Sequence, residues 1–334
     1  MKESSSSINY DAIDILKIIL AFNIIQIHSS FYFDWMKPLV RIAVPVYFIT
    51  SAFFFFKKDP NAKQLWDYIK RLLWLYAFWF IVWAPYFFFS NRQMISPISI
   101  DSLQWFAKKF LFSSTWAASW YIMASIIGTT IIWLLKKFLN KNVLIIFGLV
   151  IYSVVVFGTT FHDFFSSSFG LIDDFWVKAT STHLSISFPV SLVWIIWGGI
   201  LSESINLSRK WQYLALCLVS FALLEVEYYL CKPYFVCDDS FLMLVPVSIG
   251  LFCFAASCNI KVNTAKTLRK ISTITYCSHY TIIGLCSTAL FVCFGYELNS
   301  FFKMLIAVMG SLLISGLILF LEKKKCFKFL QFAH

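Results

Sequence analysis

Long apolar segments separated by short polar ones run along the whole chain. A helix needs about 20 mostly apolar residues to cross a lipid bilayer, and ten segments come close to that length. This pattern predicts about ten transmembrane helices, of which the second and the fifth are short enough to be tilted or partly re-entrant. The segments span approximately 12–32, 39–56, 69–89, 116–135, 143–159, 184–201, 211–230, 240–257, 272–295 and 301–321.

The polar intervals are short, and the two longest, 90–115 and 160–183, hold about two dozen residues each. Neither is long enough for a folded soluble domain. Within the first, DSLQWFAKKFLF at 101–112 has the pattern of a helix that lies at the membrane interface. We therefore expect one transmembrane domain over residues 1–334, without an appended soluble domain. The predicted fold class is an all-α, polytopic membrane helix bundle.

Composition agrees with this class, because 60% of the residues are hydrophobic, 20% are aromatic and only 13% are charged. Soluble domains carry about 25% charged residues. The net charge of +11 does not indicate nucleic acid as a partner, since the basic residues form short clusters between apolar segments instead of one basic face. The polar start, MKESSSSINYD, is followed by an apolar segment without a signal-peptide cleavage site, so this segment is expected to remain as a span.

The distribution of lysine and arginine predicts the orientation in the membrane. If the N-terminus is cytoplasmic, 19 of these residues fall in inside loops and 8 in outside loops, while Lys17 lies within the first span. Cytoplasmic loops carry the excess of positive charge in membrane proteins. We therefore expect both termini to be cytoplasmic in a multi-pass protein of the cell membrane, most simply a bacterial cytoplasmic membrane.

Two ionisable residues, Lys17 and His28, lie eleven residues apart in the first apolar segment. Eleven residues complete about three helical turns and rise roughly 16 Å, so both side chains share one helical face at different depths. Ionisable groups within a bilayer are costly and indicate function. The predicted orientation places Lys17 toward the cytoplasm and His28 in the outer half of the membrane.

Other polar residues accompany this pair in later spans. Tyr276 and His279 share one face of the ninth span, three residues apart, in its inner half. Glu225 and Glu227 lie near the outer end of the seventh span. The predicted bundle thus has polar groups at both depths.

The first two spans carry motifs that resemble the membrane acyltransferase-3 family. YDAIDILKIILAFNIIQIHSSF is similar to the first family helix, in which a basic residue precedes a histidine by eleven positions, here Lys17 and His28. RIAVPVYFITSAFFFF at 41–56 resembles the second family helix. Its matching residues are Arg41, Val44, Pro45, Tyr47, Phe48 and Ser51. The family usually has Arg at the position of Lys17 and Gly at that of Ala52.

Three later segments extend the resemblance in the family's order over nearly the whole chain. YIKRLLWLYAFW at 68–79 contains Arg71, WYIMAS at 120–125 begins with Trp120, and LRKISTITYCSHYTII at 268–283 contains Tyr276 and His279. Similar domains also occur in proteins that modify surface polysaccharides and as the membrane half of certain racemases.

The resemblance implies transfer of an acyl group, commonly acetyl, from cytoplasmic acyl-CoA to a hydroxyl of a glycan or lipid-linked sugar. Histidine titrates near neutral pH and suits the removal of the hydroxyl proton, so His28 is the expected general base. Lys17 is expected to be a donor-side cation or oxyanion stabiliser. Arg71 is expected to contact the CoA phosphates, with Tyr276 and His279 lining the same cavity.

On the acceptor side the expected residues are Arg41, Glu225 and Trp120. Beyond the acyl-CoA donor, no tightly bound cofactor and no metal are expected. The expected partners are the acceptor and the bilayer, and a homo-oligomer of the chain stays open. The nine cysteines show no metal-ligand spacing. Cys231 and Cys237 flank a predicted outer loop, where an oxidising compartment would allow them to pair, and the sequence leaves open whether they do.

Structural roles compete with each of these assignments. His28 and His279 can serve helix packing, and Lys17 can snorkel to the interface. Arg71 and Arg41 can be membrane anchors, and Trp120 and Tyr121 can belong to an aromatic belt.

Two other functions also remain open. One is a transporter or flippase of a lipid-linked saccharide. The other is a catalytically silent membrane scaffold that retains the fold.

Overall fold

Each of the ten predicted apolar segments is helical in the computed structural model of the chain. The structure describes residues 9–95, 98–116, 119–163, 169–234 and 236–334. Within these ranges the chain is all-α without strands, as predicted, and most of the polar N-terminal stretch (1–8) lies outside them. The α-helices are α1 (Asp11–Ser29), α2 (Lys37–Arg41), α3 (Ala43–Phe56), α4 (Ala62–Ser90), α5 (Arg92–Ile95), α6 (Ile100–Phe112), α7 (Trp120–Leu135), α8 (Lys141–Thr159), α9 (Gly170–Thr180), α10 (Phe188–Ser204), α11 (Lys210–Cys231), α12 (Leu244–Ala256), α13 (Ala265–Phe294) and α14 (Ser300–Leu321).

Seven segments of the described chain are long and apolar enough to cross a membrane. They contain α1, α2 together with α3, α4, α8, α11, α13 and α14. The other three apolar helices, α7, α10 and α12, have 10 to 17 residues. The count of ten spans and the cytoplasmic position of both termini stay predictions.

The short helices are thus the fourth, sixth and eighth predicted segments, whereas we expected the second and the fifth to be short. The second gains length because α2 precedes α3, so that the apolar unit covers Asp34–Phe56. The sixth loses length because Leu184–Ile186 forms a separate 3₁₀ turn before α10. Apolar sequence alone does not distinguish such a turn from the first turn of a span.

Local sequence explains where several helices begin and end. Asn61 begins α4 with a reciprocal cap, in which its side chain accepts from the Gln64 amide and the Gln64 side chain accepts from the Asn61 amide. Gly295 ends α13 in the left-handed region, with φ +65°. The predicted interfacial stretch 101–112 is the core of α6, and its position at a membrane surface stays a prediction.

Helices α3 and α10 lie at the centre of the bundle, and most residues of both are buried. They approach each other closely at Gly198, where an added Cβ would lie 2.6 Å from the Ala52 Cβ and 2.6 Å from the Ile49 carbonyl oxygen. Because Gly198 has no side chain, the Ala52 methyl group fits against its backbone. This contact accommodates alanine at the position where the resembled family usually has glycine.

Helix α1 packs along α13 and α14, which brings the first apolar segment against the ninth and the tenth. A 3₁₀ segment, Lys325–Ala333, then folds back onto α4, where the indole nitrogen of Trp79 donates to the Ala333 carbonyl at 3.0 Å. These contacts place the polar residues of α1 next to those of α13.

Candidate active site

A cavity of about 840 Å³ lies among α1, α3, α4, α7 and α13. We call it the basic cavity, because six of its lining residues are lysine or arginine and two are aspartate. Its cationic residues are Lys17, Lys58, Arg71, Lys266, Arg269 and Lys270. Such a lining suits a ligand that carries phosphate groups, since charge-assisted hydrogen bonds to phosphate are stronger than neutral ones.

Two residues that the sequence assigned to the donor side, Lys17 and Arg71, both line the basic cavity. The Lys17 ammonium lies 5.7 Å from the centre of the Tyr47 ring, and the Tyr47 hydroxyl donates to the Lys17 carbonyl at 2.6 Å. The Arg71 guanidinium lies 5.7 Å from the centre of the Tyr68 ring. Neither cation has a carboxylate within ion-pair distance in the part of the chain that the structure describes, so both charges face the cavity unneutralised.

Four further cations of this cavity, Lys58, Lys266, Arg269 and Lys270, were not among the predicted site residues. The sequence signal was present, because these residues belong to the basic clusters between apolar segments. From the sequence, those clusters predict topology alone. Residues of the clusters that predict the topology therefore also line the cavity.

Three tyrosines, Tyr47, Tyr121 and Tyr276, line one part of the basic cavity and contact one another. We call them the tyrosine cluster. The centroid separations are 6.2 Å for Tyr47 and Tyr121, 6.1 Å for Tyr47 and Tyr276, and 5.4 Å for Tyr121 and Tyr276. Tyr276 thus lines the predicted cavity, although aromatic neighbours surround it.

His28 and His279 lie side by side, with ring centroids 5.2 Å apart. His279 is fully buried, and its ring centroid lies 6.3 Å from that of Tyr276. Tyr280 packs edge-on against His28 at 4.7 Å. His279 was expected on the wall of the donor cavity, and the structure places it beside His28 instead, with Tyr276 between the basic cavity and the histidine pair.

The hydrogen bond of His279 determines which of its ring nitrogens carries the proton in the neutral form. Its Nδ1 lies 3.0 Å from the Thr275 carbonyl oxygen, which can only accept. Nδ1 therefore carries the proton, and Nε2 of the neutral ring carries the lone pair. This Nε2 is buried and has no hydrogen-bond partner among the described residues. Nε2 of His279 is therefore a free hydrogen-bond acceptor in the core of the bundle.

A second, much smaller cavity of about 40 Å³ lies near Ile27, the neighbour of His28. Two of the three predicted acceptor-side residues, Arg41 and Trp120, line it together with Asp239. This volume holds about one or two water molecules. The cavity thus brings Arg41 and Trp120 together, but in this form it does not accommodate a sugar ring.

Arg41 is neutralised by a pair of acidic residues that sequence reasoning missed. Its guanidinium contacts the carboxylates of Asp238 and Asp239, and Lys37 also contacts Asp238. Burial disfavours the charged form of Asp238, but the charges of Arg41 and Lys37 and their hydrogen bonds outweigh burial and hold its pKa below the ordinary value. The sequence signal was the DD pair that follows Cys237.

The two glutamates of α11 have different environments. Glu227 accepts from the Leu242 and Met243 amides at 2.6 and 2.8 Å, so it caps the start of α12 and has a structural role. Both carboxylate oxygens of Glu225 are buried without a hydrogen-bond partner among the described residues. Glu225 does not line the small cavity with Arg41 and Trp120.

Cys231 and Cys237 are both free thiols in the structure. The Cys237 thiol donates to an Asp239 carboxylate oxygen at 2.7 Å and accepts from the Ser185 hydroxyl at 3.2 Å. Burial and the neighbouring Asp239 raise the pKa of the Cys237 thiol. This cysteine is therefore part of the polar network around Arg41 and Asp239.

Comparison with known proteins gives one family and two relatives. Residues 10–320 match the acyltransferase-3 family, which is described as an acyltransferase domain. An amino-acid racemase of Enterococcus faecalis is 25% identical over 267 residues, which are 73% of this chain and 35% of the racemase. A second amino-acid racemase of the same organism is 23% identical over 167 residues, which are 46% of this chain and 23% of that protein.

The chain thus spans about a third of the first racemase and about a quarter of the second. No solved structure matches the chain. The family match covers the helices that build the basic cavity and the histidine pair.

Proposed function

Because the chain belongs to the acyltransferase-3 family, we propose that this multi-pass membrane protein transfers an acyl group from acyl-CoA to a saccharide hydroxyl. Acetyl is the acyl group that we propose, and the acceptor is a cell-surface glycan or a lipid-linked sugar at the outer face. The site is proposed to act in the cell membrane, with both termini cytoplasmic. Amino-acid racemisation is the activity named for relatives that are far longer than this chain, which covers 35% of the first of them.

The basic cavity is the observation that carries this proposal. It is large enough for much of a cofactor-sized donor, for which pockets of about 300–1,000 Å³ are typical, and its volume is about 840 Å³. Its excess of cations suits the phosphates of CoA, among them Arg71 and the donor-side Lys17. Its tyrosine cluster leads toward the histidine pair. A donor bound there would direct its acyl end toward His28.

The proposed chemistry needs one base and one source of positive charge. His28 takes the proton of the acceptor hydroxyl while the hydroxyl oxygen attacks the thioester carbonyl carbon. Positive charge from Lys17 at the donor end binds the CoA phosphates, because Lys17 lies roughly 16 Å along α1 from His28, where the oxyanion would form. When the carbon–sulfur bond breaks, the CoA sulfur leaves and takes up the proton from His28. The products are the ester and free CoA.

The acceptor side is proposed at Arg41, Trp120 and Glu225. Trp120 supplies an aromatic face near the small cavity, and Glu225 supplies carboxylate oxygens without a partner in the described chain. Arg41 contacts Asp238 and Asp239, so its proposed role is to shape this end of the bundle and to orient Trp120. Binding of a sugar there requires the small cavity to widen.

The test is label transfer from radiolabelled acetyl-CoA to a glycan acceptor in membranes that carry the wild type, His28→Ala or His162→Ala. His162 pairs with Asp163 away from both cavities, so His162→Ala controls for the loss of a histidine. We expect transfer by the wild type and by the control, and a loss of about 1,000-fold or more with His28→Ala. Equal label transfer by the wild type and by His28→Ala would show that His28 is not the base.

The same membranes separate the two other functions. A wild type that moves a lipid-linked saccharide across the membrane but transfers no label is a transporter. A wild type that does neither is a scaffold. Either result contradicts the proposed acyl transfer.

A further inference from the structure

We propose that His28 and His279 act as a proton-handling pair, in which Nε2 of His279 accepts a hydrogen bond from the imidazole of His28 and orients His28 as the base. His279 is thus a positioning residue. This inference rests on the proposed function, because it assigns His28 a partner in acyl transfer. His279 is thus assigned to the reacting base instead of to the donor cavity, where the sequence predicted it.

The first observation is the fixed tautomer of His279. The bond from Nδ1 to the Thr275 carbonyl, 3.0 Å long, is made within one turn of α13 and fixes both the ring and its proton. The remaining nitrogen, Nε2, is an acceptor that is buried without a partner among the described residues. An unsatisfied buried acceptor destabilises the folded protein, and this cost is recovered when a donor binds to it.

The second observation is the spacing of the two rings. Two imidazoles joined by an N–H···N bond of about 2.9 Å have centroids about 5 Å apart when the bond lies along their planes. The centroids of His28 and His279 are 5.2 Å apart, and the ring planes differ by 37°. Rotation of the His28 ring about its side-chain bonds can therefore form the bond without movement of α1 or α13.

The third observation is what surrounds the pair. In the described part of the chain, no carboxylate forms a hydrogen bond or ion pair with either ring. Many histidine bases are oriented by a carboxylate, and here a neutral imidazole takes that position. Because His279 lies deeper in the core than the partly buried His28, a neutral partner also avoids an unpaired buried charge.

The pair has a defined place in the reaction. One nitrogen of His28 donates an N–H hydrogen bond to Nε2 of His279 and keeps its proton, which leaves the lone pair of the other nitrogen free to take the hydroxyl proton of the acceptor. His28 is then a cation whose charge is shared with His279 through the hydrogen bond. The proton from the acceptor leaves with the CoA sulfur when the carbon–sulfur bond breaks, and both rings return to their neutral forms.

The experiment compares His279→Leu, which removes the acceptor, with His279→Gln, whose amide oxygen can replace Nε2. Ser278→Ala is the matched control on the same helix, because the Ser278 hydroxyl donates to the Ile274 carbonyl at 2.8 Å and lies outside the pair. We expect kcat to fall about 100-fold in His279→Leu and less than about tenfold in His279→Gln. KM for acetyl-CoA should stay within about twofold in both, and the control should match the wild type.

A double variant keeps the test decisive when folding is affected. If the residues act as a pair, His28→Ala with His279→Leu should be no less active than His28→Ala alone, because effects of residues that act as a unit are not additive. The pair would be overturned if the double variant lost activity by the product of the two single losses. It would also be overturned if His279→Leu kept wild-type kcat while His28→Ala was inactive. Both results would leave the proposed function intact. A wild type that transfers no label would instead overturn both.

Discussion

Arg269 binds Asp14 through two parallel hydrogen bonds, with 2.9 Å between Nε and Oδ1 and 2.7 Å between Nη2 and Oδ2. The Asp14 side chain is 4% exposed, whereas that of Arg269 is 56% exposed. Asp14 lies three residues before Lys17, so Arg269 neutralises the carboxylate that would otherwise be nearest to Lys17 along α1. The pair ties α1 to α13 beside the basic cavity and leaves the Lys17 charge to a ligand.

Arg269→Gln should destabilise the protein, because it leaves the Asp14 carboxylate buried without its partner. We expect a loss of about 2 kcal/mol in the free energy of unfolding, measured by denaturant unfolding in detergent. Arg269→Lys should recover only part of this, since lysine lacks the planar fork. Lys266→Gln is the control, because it removes another cation of the cavity, one without an ion-paired carboxylate among the described residues. Equal stability of Arg269→Gln and Lys266→Gln would contradict the role of the pair.

The helices were predictable from the sequence because the length of an apolar segment is a local property. Each of the ten segments became a helix, and the motif residues Lys17 and His28 fell on the first of them. The capping pair of Asn61 and Gln64 is equally local. Errors arose where an apolar stretch divides into a turn and a helix, as at Leu184–Ile186.

The site was predictable only in part because its contacts join distant segments. Arg41 and Asp238 are 197 residues apart in the chain, and no local pattern pairs them. His28 and His279 were both identified, but the helical faces that bring their rings together depend on how α1 packs on α13. The same packing determines which lysines and arginines of the loops and helix ends, such as Lys270, also line a cavity.

Lys17→Met should weaken donor use, because it removes an unneutralised charge from the basic cavity. We expect KM for acetyl-CoA to rise about tenfold while kcat changes little, because the charge binds the donor at a distance from the reacting carbon. Lys17→Arg should stay within about threefold of the wild type, since it keeps the charge and restores the residue usual in the family. Initial rates at varied acetyl-CoA concentration measure both parameters.

Lys109→Met serves as the control for this prediction. Lys109 lies on α6 outside the basic cavity, so its loss removes a positive charge without touching the donor site. Wild-type kcat and KM in Lys17→Met would show that Lys17 only anchors α1 at the interface.

Gly198→Ala should destabilise the centre of the bundle. The added methyl would lie 2.6 Å from both the Ala52 Cβ and the Ile49 carbonyl oxygen, so α3 and α10 would have to separate. Overpacking of this kind costs about 1–3 kcal/mol. The measurement is the thermal unfolding midpoint in detergent, which should fall.

The matched control is Gly316→Ala in α14, where an added Cβ meets no atom of the described residues within 4 Å. Alanine is the better helix former by roughly 0.5–1 kcal/mol, so this variant should be unchanged or slightly more stable. The combination Ala52→Gly with Gly198→Ala should recover part of the loss, because it removes one of the two close contacts. No difference between Gly198→Ala and Gly316→Ala would contradict the packing described for α3 and α10.

Asp238→Asn should destabilise the protein in a manner that depends on pH. Because Arg41 and Lys37 hold the pKa of Asp238 below its ordinary value of 3.8, its charge stabilises the folded state above that value. This contribution is lost as the pH falls through the lowered pKa of the folded protein. At about pH 7 the variant should lose about 2 kcal/mol in the free energy of unfolding relative to the wild type, since it removes hydrogen bonds to charged groups. The difference should narrow below about pH 4.

Asp67→Asn is the control, because Asp67 is exposed and lies 3.8 Å from Lys70, where a pair contributes little. A difference between wild type and Asp238→Asn that is the same at both pH values would mean that the carboxylate charge does not hold Arg41 and Lys37 in place.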